Sequence, residues 1–347
     1  MNYGISVLFR AIPLVMALFC FSYGALVYLW GEDSSRLIAG PVIFFLGSIC
    51  IALYSTAATI IRQIIGTYNT FAKYFLPLLG YGVALFTFVF GISMFSGATH
   101  AGDFVAGHIV SGLGLITACV ATAATVSTRF TLIPENNSSG VRDVNRKAFT
   151  YQQELLFEAI VSFFAVLAWA WTIILLSGGT GSHFVAGSVM GGIACICTSL
   201  IALVASIVRQ ERNVYGPREK KTWQRLVLIM GSIATLWGIV VIIVWYGDVR
   251  DFVGFVLIGL GLVCFSISSK VILLSKIWRE DYKLASRIPL IPVLTSLACL
   301  FLAAFLFEEA VYKEKFFVPS RVLAGLGAIC FTLFSIVSIL ESGTRKS

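Results

Sequence analysis

Charge and histidine are both scarce in this chain. Only 12% of its 347 residues are Asp, Glu, Lys or Arg, and three are His. The remaining polar residues assemble no phosphate loop, dinucleotide fingerprint, HExxH metal motif or Ser-His-Asp set. The Gly178-Gly179-Thr180-Gly181 stretch has no lysine and no following cytoplasmic helix to make it a phosphate cradle. These absences argue against an enzyme, and neither a cofactor nor a metal is expected.

What is abundant is apolar surface. The chain is 58% hydrophobic, with runs of about 20 residues, the length that crosses ~30 Å of hydrocarbon. The runs predict ten spans, at 11–30, 37–61, 75–96, 104–128, 155–177, 184–208, 224–246, 252–275, 288–307 and 317–341. They are helices, because a lipid-exposed sheet must close into a barrel and the alternation of barrel strands is missing. The first run is too long for a removable signal peptide and no small-x-small cleavage site follows it.

Five copies of one unit make up the chain. Gly47, Gly114, Ala194, Gly261 and Gly327 anchor the copies, at intervals of 67, 80, 67 and 66 residues. Ten residues before the anchors stand LIAG, FVAG, FVAG, DFVG and FVPS, the fourth in looser register. Three residues after them come Cys50, Thr117, Cys197, Cys264 and Cys330, and fifteen after them Arg62, Arg129, Arg209, Lys276 and Ser342. Twenty-three before them are Gly24, Gly91, Trp171, Gly238 and Ala304. A repeat of this length is a supersecondary unit, here a hairpin of one odd and one even span. The expected fold is an all-α polytopic membrane protein of five tandem hairpins, within one membrane domain over 1–347. The copies fall near 1–66, 67–133, 151–213, 220–280 and 284–342, with the longest cytoplasmic linker at 130–150.

Of the 25 Lys and Arg residues, all but six fall on the side that carries both termini. The exceptions are Arg36, Arg250, Lys313, Lys315 and Arg321 on the other side and Lys270 inside a span. That asymmetry places both termini in the cytoplasm. The net charge of +8 therefore marks cytoplasmic loops and carries no implication of nucleic acid as a partner. The dense run from Arg209 to Arg225 is either topogenic or an anionic-lipid patch. Asn136 and Asn137 lie in glycosylation-like triplets that this topology puts in the cytoplasm. The eight cysteines lie in spans away from the oxidising face, so no disulfide framework is implied. Cys195 and Cys197, two apart on a helix, point to nearly opposite faces and cannot share a metal.

An even number of spans per copy makes the hairpins parallel repeats, which can close into a pseudo-five-fold ring or pack irregularly. In a ring the even helices are the better inner layer. Gly40, Gly107 and Gly187, with Ser320 in the last copy, sit seven residues before Gly47, Gly114, Ala194 and Gly327 and share one helical face with these anchors; Gly261 anchors the seam of the fourth copy. Such a small-residue seam packs helices in lipid, or lines a pore. The odd helices are richer in large residues (Phe86, Phe88, Phe90, Trp169, Trp171), and Trp30, Trp245, Trp223 and Trp278 read as interfacial belts.

Departures from this apolar plan are few. His100, His108 and His183 all fall at the external face, with Asp103 nearby as an expected partner. Imidazole ordinarily titrates near ~6.5, so an acid exterior would add charge there, which makes these histidines candidate pH sensors or ordinary loop residues. Lys270 lies inside the eighth span. A central lysine costs ~2.5–3.5 kcal/mol on insertion scales, which marks it as a functional candidate unless its stem snorkels. Glu158, one turn after Glu154 at a similar depth, is its expected ion-pair partner.

The start MNYGISVLFRAIPLVMALFCF, the STAATIIRQ stretch at 55–63 and the ten-span layout resemble the YhiM family of enterobacterial inner-membrane proteins. The resemblance covers essentially the whole chain. It implies the bacterial inner membrane and a link to survival at low pH, and carries over no catalytic or binding residue. The expected function is a channel or transporter for a small ion or solute, with a non-transporting membrane sensor or partner-binding scaffold as the alternative. Beyond the lipid bilayer, no partner is specified.

Overall fold

A computed structural model describes residues 3–30, 35–65, 67–127, 149–179, 181–212, 214–244, 249–277 and 287–344. Ten long helices run through them: α1 (Tyr3–Trp30), α2 (Arg36–Ile65), α3 (Thr70–Ser96), α4 (Ala101–Ser127), α5 (Tyr151–Ser177), α6 (Ser182–Glu211), α7 (Pro217–Val244), α8 (Val249–Ile277), α9 (Leu290–Ala310) and α10 (Phe317–Thr344). A single 3-10 turn, Glu314–Phe316, precedes α10. No strand occurs among the described residues. Every helix is long and apolar enough to cross a bilayer.

The helices outrun the expected spans at their polar ends. Asn69 caps α3 by accepting a hydrogen bond from the Ala72 amide at 2.9 Å. Thr150 and Gln153 form a reciprocal capping box at the start of α5. Pro217, which has no amide proton to satisfy, opens α7 seven residues before the expected span. Helical hydrogen bonding continues past the hydrocarbon, because caps end a helix and hydropathy does not. Between α5 and α6, Gly179 and Gly181 take φ values of 104° and 74°, a left-handed turn that side chains resist.

Burial divides the helices into two layers. In the even helices 72–94% of the central span is buried, against 28–33% in the odd ones. Each odd helix packs on its own even partner and on the preceding even helix: α3 on α4 and α2, α5 on α6 and α4, α7 on α8 and α6, α9 on α10 and α8, and α1 on α2 and α10. The even helices also touch in succession, α2 to α4, α4 to α6, α6 to α8, α8 to α10, and α10 to α2. Large residues on the outer helices, such as Phe86, Ile173, Ile243 and Phe301, face outwards, where lipid replaces water as solvent.

The small-residue seam turns towards the odd partner. A methyl group on Gly47 would fall 2.8 Å from the Phe21 ring, one on Gly107 2.5 Å from the Phe95 amide nitrogen, and one on Gly114 2.8 Å from the Phe88 backbone. On Gly40, Gly187, Gly261 and Gly327 the nearest neighbours are Tyr28, Leu176, Thr235 and Leu300, each on the preceding helix. Close backbone approach at such positions is how helices associate where the solvent is as apolar as the side chains.

Candidate functional site

Away from the seam, the inner faces of α2, α4, α6, α8 and α10 converge on a shared cavity at the bundle axis. Leu46, Leu113, Ile193, Leu260 and Leu326 stand one residue before the repeat anchors; Ile49, Ile116, Ile196, Val263 and Ile329 stand two after. Leu53, Val120, Leu200, Ile267 and Leu333 stand six after. All of these except Ile193 line a cavity of about 30 Å³, measured as room for water-sized occupants. Ile193 lines a second cavity of about 10 Å³ with Val42, Ile109, Val189, Val256 and Val322, the set five before the anchors. Leu46, Leu113, Leu260 and Leu326 line both, so they form the partition between the two. At 100° per residue these offsets centre about 120° round the helix from the glycine seam. The first cavity has space for about two waters, and the second sits at the threshold for one. The axis is closed in this conformation.

One position breaks the aliphatic pattern. Nine residues after the anchors stand Thr56, Ala123, Leu203 and Lys270, all lining the larger cavity, and Ile336, which is fully buried. Lys270 is 2% exposed and makes no hydrogen bond or ion pair with any described residue. Its side chain is buried and borders the axial cavity. The expected pairing with Glu158 is not formed. Glu158 accepts from Arg209 Nε at 3.0 Å and belongs to α5, which packs on α4 and α6 and leaves α6 between it and the face of α8 that carries Lys270.

Arg209 instead organises the polar cluster at the termini end. It lies within 3.3 Å of Glu154, 3.0 Å of Glu158 and 2.7 Å of Glu219, and its guanidinium sits 5.5 Å from the Trp223 ring centre. Arg212 also pairs with Glu154. The two arginines that begin the dense basic run are thus committed to carboxylates, which weighs against a lipid-headgroup role for them. Just outside the spans, burial raises the Tyr215 hydroxyl above its ordinary titration range, opposed by its hydrogen bond to Ser206.

Two glutamines tie successive inner helices together at the same end. Gln63 donates to the Ser127 carbonyl at 2.9 Å, and Gln210 donates to the Leu274 carbonyl at 2.8 Å. Each glutamine stands sixteen residues after its anchor and each carbonyl thirteen after the next one.

At the opposite end the three histidines separate. His100 is exposed, His183 half-buried and His108 buried. The His108 Nδ1–H donates to the Phe104 carbonyl at 2.7 Å, and its ring stacks on Phe95 at 4.3 Å, with Phe104 at 4.3 Å and Trp171 edge-on at 5.8 Å. His183 also meets the Phe104 ring, at 4.8 Å. Asp103, the expected partner, forms no ion pair with a described residue, because the aromatic rings occupy the space around His108. Trp171 stands where three other copies carry glycine, and it forms one wall of this cage. Trp30 is exposed, whereas Trp245 and Trp278 lie outside the described residues. All eight cysteines are buried and unbridged. Among the described residues no three His, Cys, Asp or Glu side chains converge to hold a metal ion.

The axial sets were missed in the sequence, although the repeat offsets contain them. Five aliphatics recurring at −5, −1, +2 and +6 from the anchor mark a conserved environment within the chain itself. The glycines drew attention to the other face.

Along its full length the chain is 44% identical to the inner membrane protein YhiM of Escherichia coli strain K12, over 349 aligned positions that cover 100% of both proteins. Residues 1–345 match the model of DUF2776, described as a protein family of unknown function, and with this full-length match the chain belongs to that family.

Proposed function

We propose that the protein is a multi-pass protein of the bacterial inner membrane, with both termini cytoplasmic, that conducts a small ion or solute along the axis of its five even helices. The five hairpins are read as parallel repeats in a pseudo-five-fold ring. The cyclic succession of contacts among α2, α4, α6, α8 and α10 supports that arrangement, and so do the repeated Gln63 and Gln210 hydrogen bonds. The name of the E. coli relative supports the location. In this reading the aliphatic sets are stacked rings that close the path by excluding water, as hydrophobic constrictions do in channels. The observation that carries the reading is Lys270, a buried side chain that borders the axial cavity with no hydrogen bond or ion pair to a described residue. A role in acid-stress survival is part of the proposal, with the His108 cage as the element that meets external pH.

The packed axis favours a second reading, a sensor or scaffold that transports nothing. Flux separates the two. Proteoliposomes holding the full chain are assayed with a small anion, a small cation and a neutral solute at about pH 7 and about pH 5. Conduction of any of them supports the first reading; no flux under either condition ends it.

A further inference from the structure

We propose that the Lys270 cavity binds one small monovalent anion, of the size of a halide, nitrate or formate. This deepens the conduit reading by naming the class of its cargo, and rests on that reading only for the anion's passage; the binding itself is independent of flux.

Three observations point to the site. Lys270 is 2% exposed and has no hydrogen bond or ion pair with a described residue. A buried ammonium ion is stable only with a counter-charge, since moving it from water into an apolar interior without one costs far more than a fold can spare. Of the carboxylates around the termini end, Glu154, Glu158 and Glu219 are held by Arg209 and Arg212, and neither they nor buried Glu341 pairs with Lys270. Asp251 is held by Lys315 and Arg250 at the other end of α8.

Second, there is space. The cavity that Lys270 borders has about 30 Å³ of room, enough for about two waters or an ion of that order. Ala123 and Thr56 stand where two other copies carry Leu203 and Ile336, so the smaller side chains share a repeat position with the charge. Third, hydroxyl donors are at hand on α2. The Thr56 hydroxyl, which lines the cavity, donates to the Ala52 carbonyl over a long 3.3 Å, so it can be redirected towards an anion. One turn on, outside the cavity lining, the buried Thr59 hydroxyl has no hydrogen-bond partner among the described residues.

The same inventory sets the selectivity. A single positive charge, one threonine hydroxyl and an otherwise aliphatic lining balance one negative charge and no more. Sulfate or phosphate would bring a second charge and several acceptors that nothing here satisfies. Weakly hydrated monovalent anions lose least on entering such a lining, so nitrate and bromide should bind more tightly than chloride. A monovalent cation meets repulsion.

The test uses the full chain in lipid nanodiscs. Chloride binding is read by 35Cl NMR line broadening and competed with nitrate, bromide or sulfate at constant ionic strength. Thermal unfolding in chloride is compared with unfolding in gluconate. The expected result is broadening that nitrate displaces and sulfate does not, with chloride raising the unfolding temperature. Lys270→Met, similar in length and apolar, should lower chloride affinity by about tenfold or more and remove the chloride-dependent rise. Thr56→Val provides a milder probe that keeps the lysine, with an expected loss of about two- to fivefold. Absence of chloride broadening in the parent chain overturns the site, as does unchanged chloride binding in Lys270→Met. Should Lys270→Met fail to fold, unchanged affinity in Thr56→Val together with displacement by sulfate overturns it. Anion binding without flux leaves the site standing and ends the conduit reading. Cation flux without anion binding does the reverse.

Discussion

Gly238 of α7 and Gly254 of α8 meet backbone to backbone: a methyl group on Gly238 would lie 2.6 Å from the Gly254 carbonyl oxygen, and one on Gly254 2.8 Å from that of Gly238. Gly91 and Gly107 repeat the relationship between α3 and α4, at 2.8 and 2.9 Å. Backbone cannot yield as a side-chain tip can, so Gly91→Ala and Gly238→Ala should each force the hairpin apart. The expected cost is about 1–3 kcal/mol, read as a lower unfolding temperature in detergent. Gly82→Ala, where nothing lies within 4 Å, is the control and should be neutral or slightly stabilising.

Arg209 is the hinge of the cluster at the termini end. Arg209→Met removes the shared counter-charge of Glu154, Glu158 and Glu219, of which Glu154 is the most buried. A loss of about 1–3 kcal/mol is expected, because partly buried Glu158 is left uncompensated while Glu154, the most buried of the three, keeps Arg212. Arg209→Lys should recover only part of it, since an ammonium cannot reach several carboxylates with a planar fork. Thermal unfolding of the two variants checks both statements.

The partition between the axial cavities should act as a barrier. Leu46→Ser with Leu260→Ser places two hydroxyls among the residues that line both cavities. Hydrophobic constrictions conduct once they wet, so ion leak through proteoliposomes should rise by about an order of magnitude. Unchanged leak in a folded double variant would show that the partition is not on a path.

An acid response, where one is measured, should depend on the aromatic cage. His108→Gln and Trp171→Leu alter the cage at its centre and at one wall, whereas His100→Gln changes an exposed residue. The first two should flatten the dependence of flux on external pH between about 7 and 5, and the third should leave it intact. A full response in a variant with all three histidines replaced would remove the sensing role.

Ten helices and their pairing into hairpins were legible in the sequence, because bilayer thickness dictates run length and the anchor offsets kept the copies in step. The packing role of Gly40 and Gly107 was half legible: the spacing put them on one face, but only tertiary contact says which neighbour that face meets. Glu158 was assigned to Lys270 on depth alone. Depth ignores azimuth, and Arg209 on the adjoining helix stood closer. His108, at the entrance of its helix, was left as either a pH sensor or an ordinary loop residue, and its cage needed Trp171 from a distant part of the chain.

The five helices around the axial cavity belong to a single polypeptide, and that changes what one mutation does. In a pore built from five identical chains, a lysine on the axis arrives in five copies, and their mutual repulsion would burst a cavity of about 30 Å³. Here the corresponding positions read Thr56, Ala123, Leu203, Lys270 and Ile336, so the charge is present once. A covalently joined bundle can therefore adjust its interior charge in unit steps, a dosage that symmetric assemblies cannot reach.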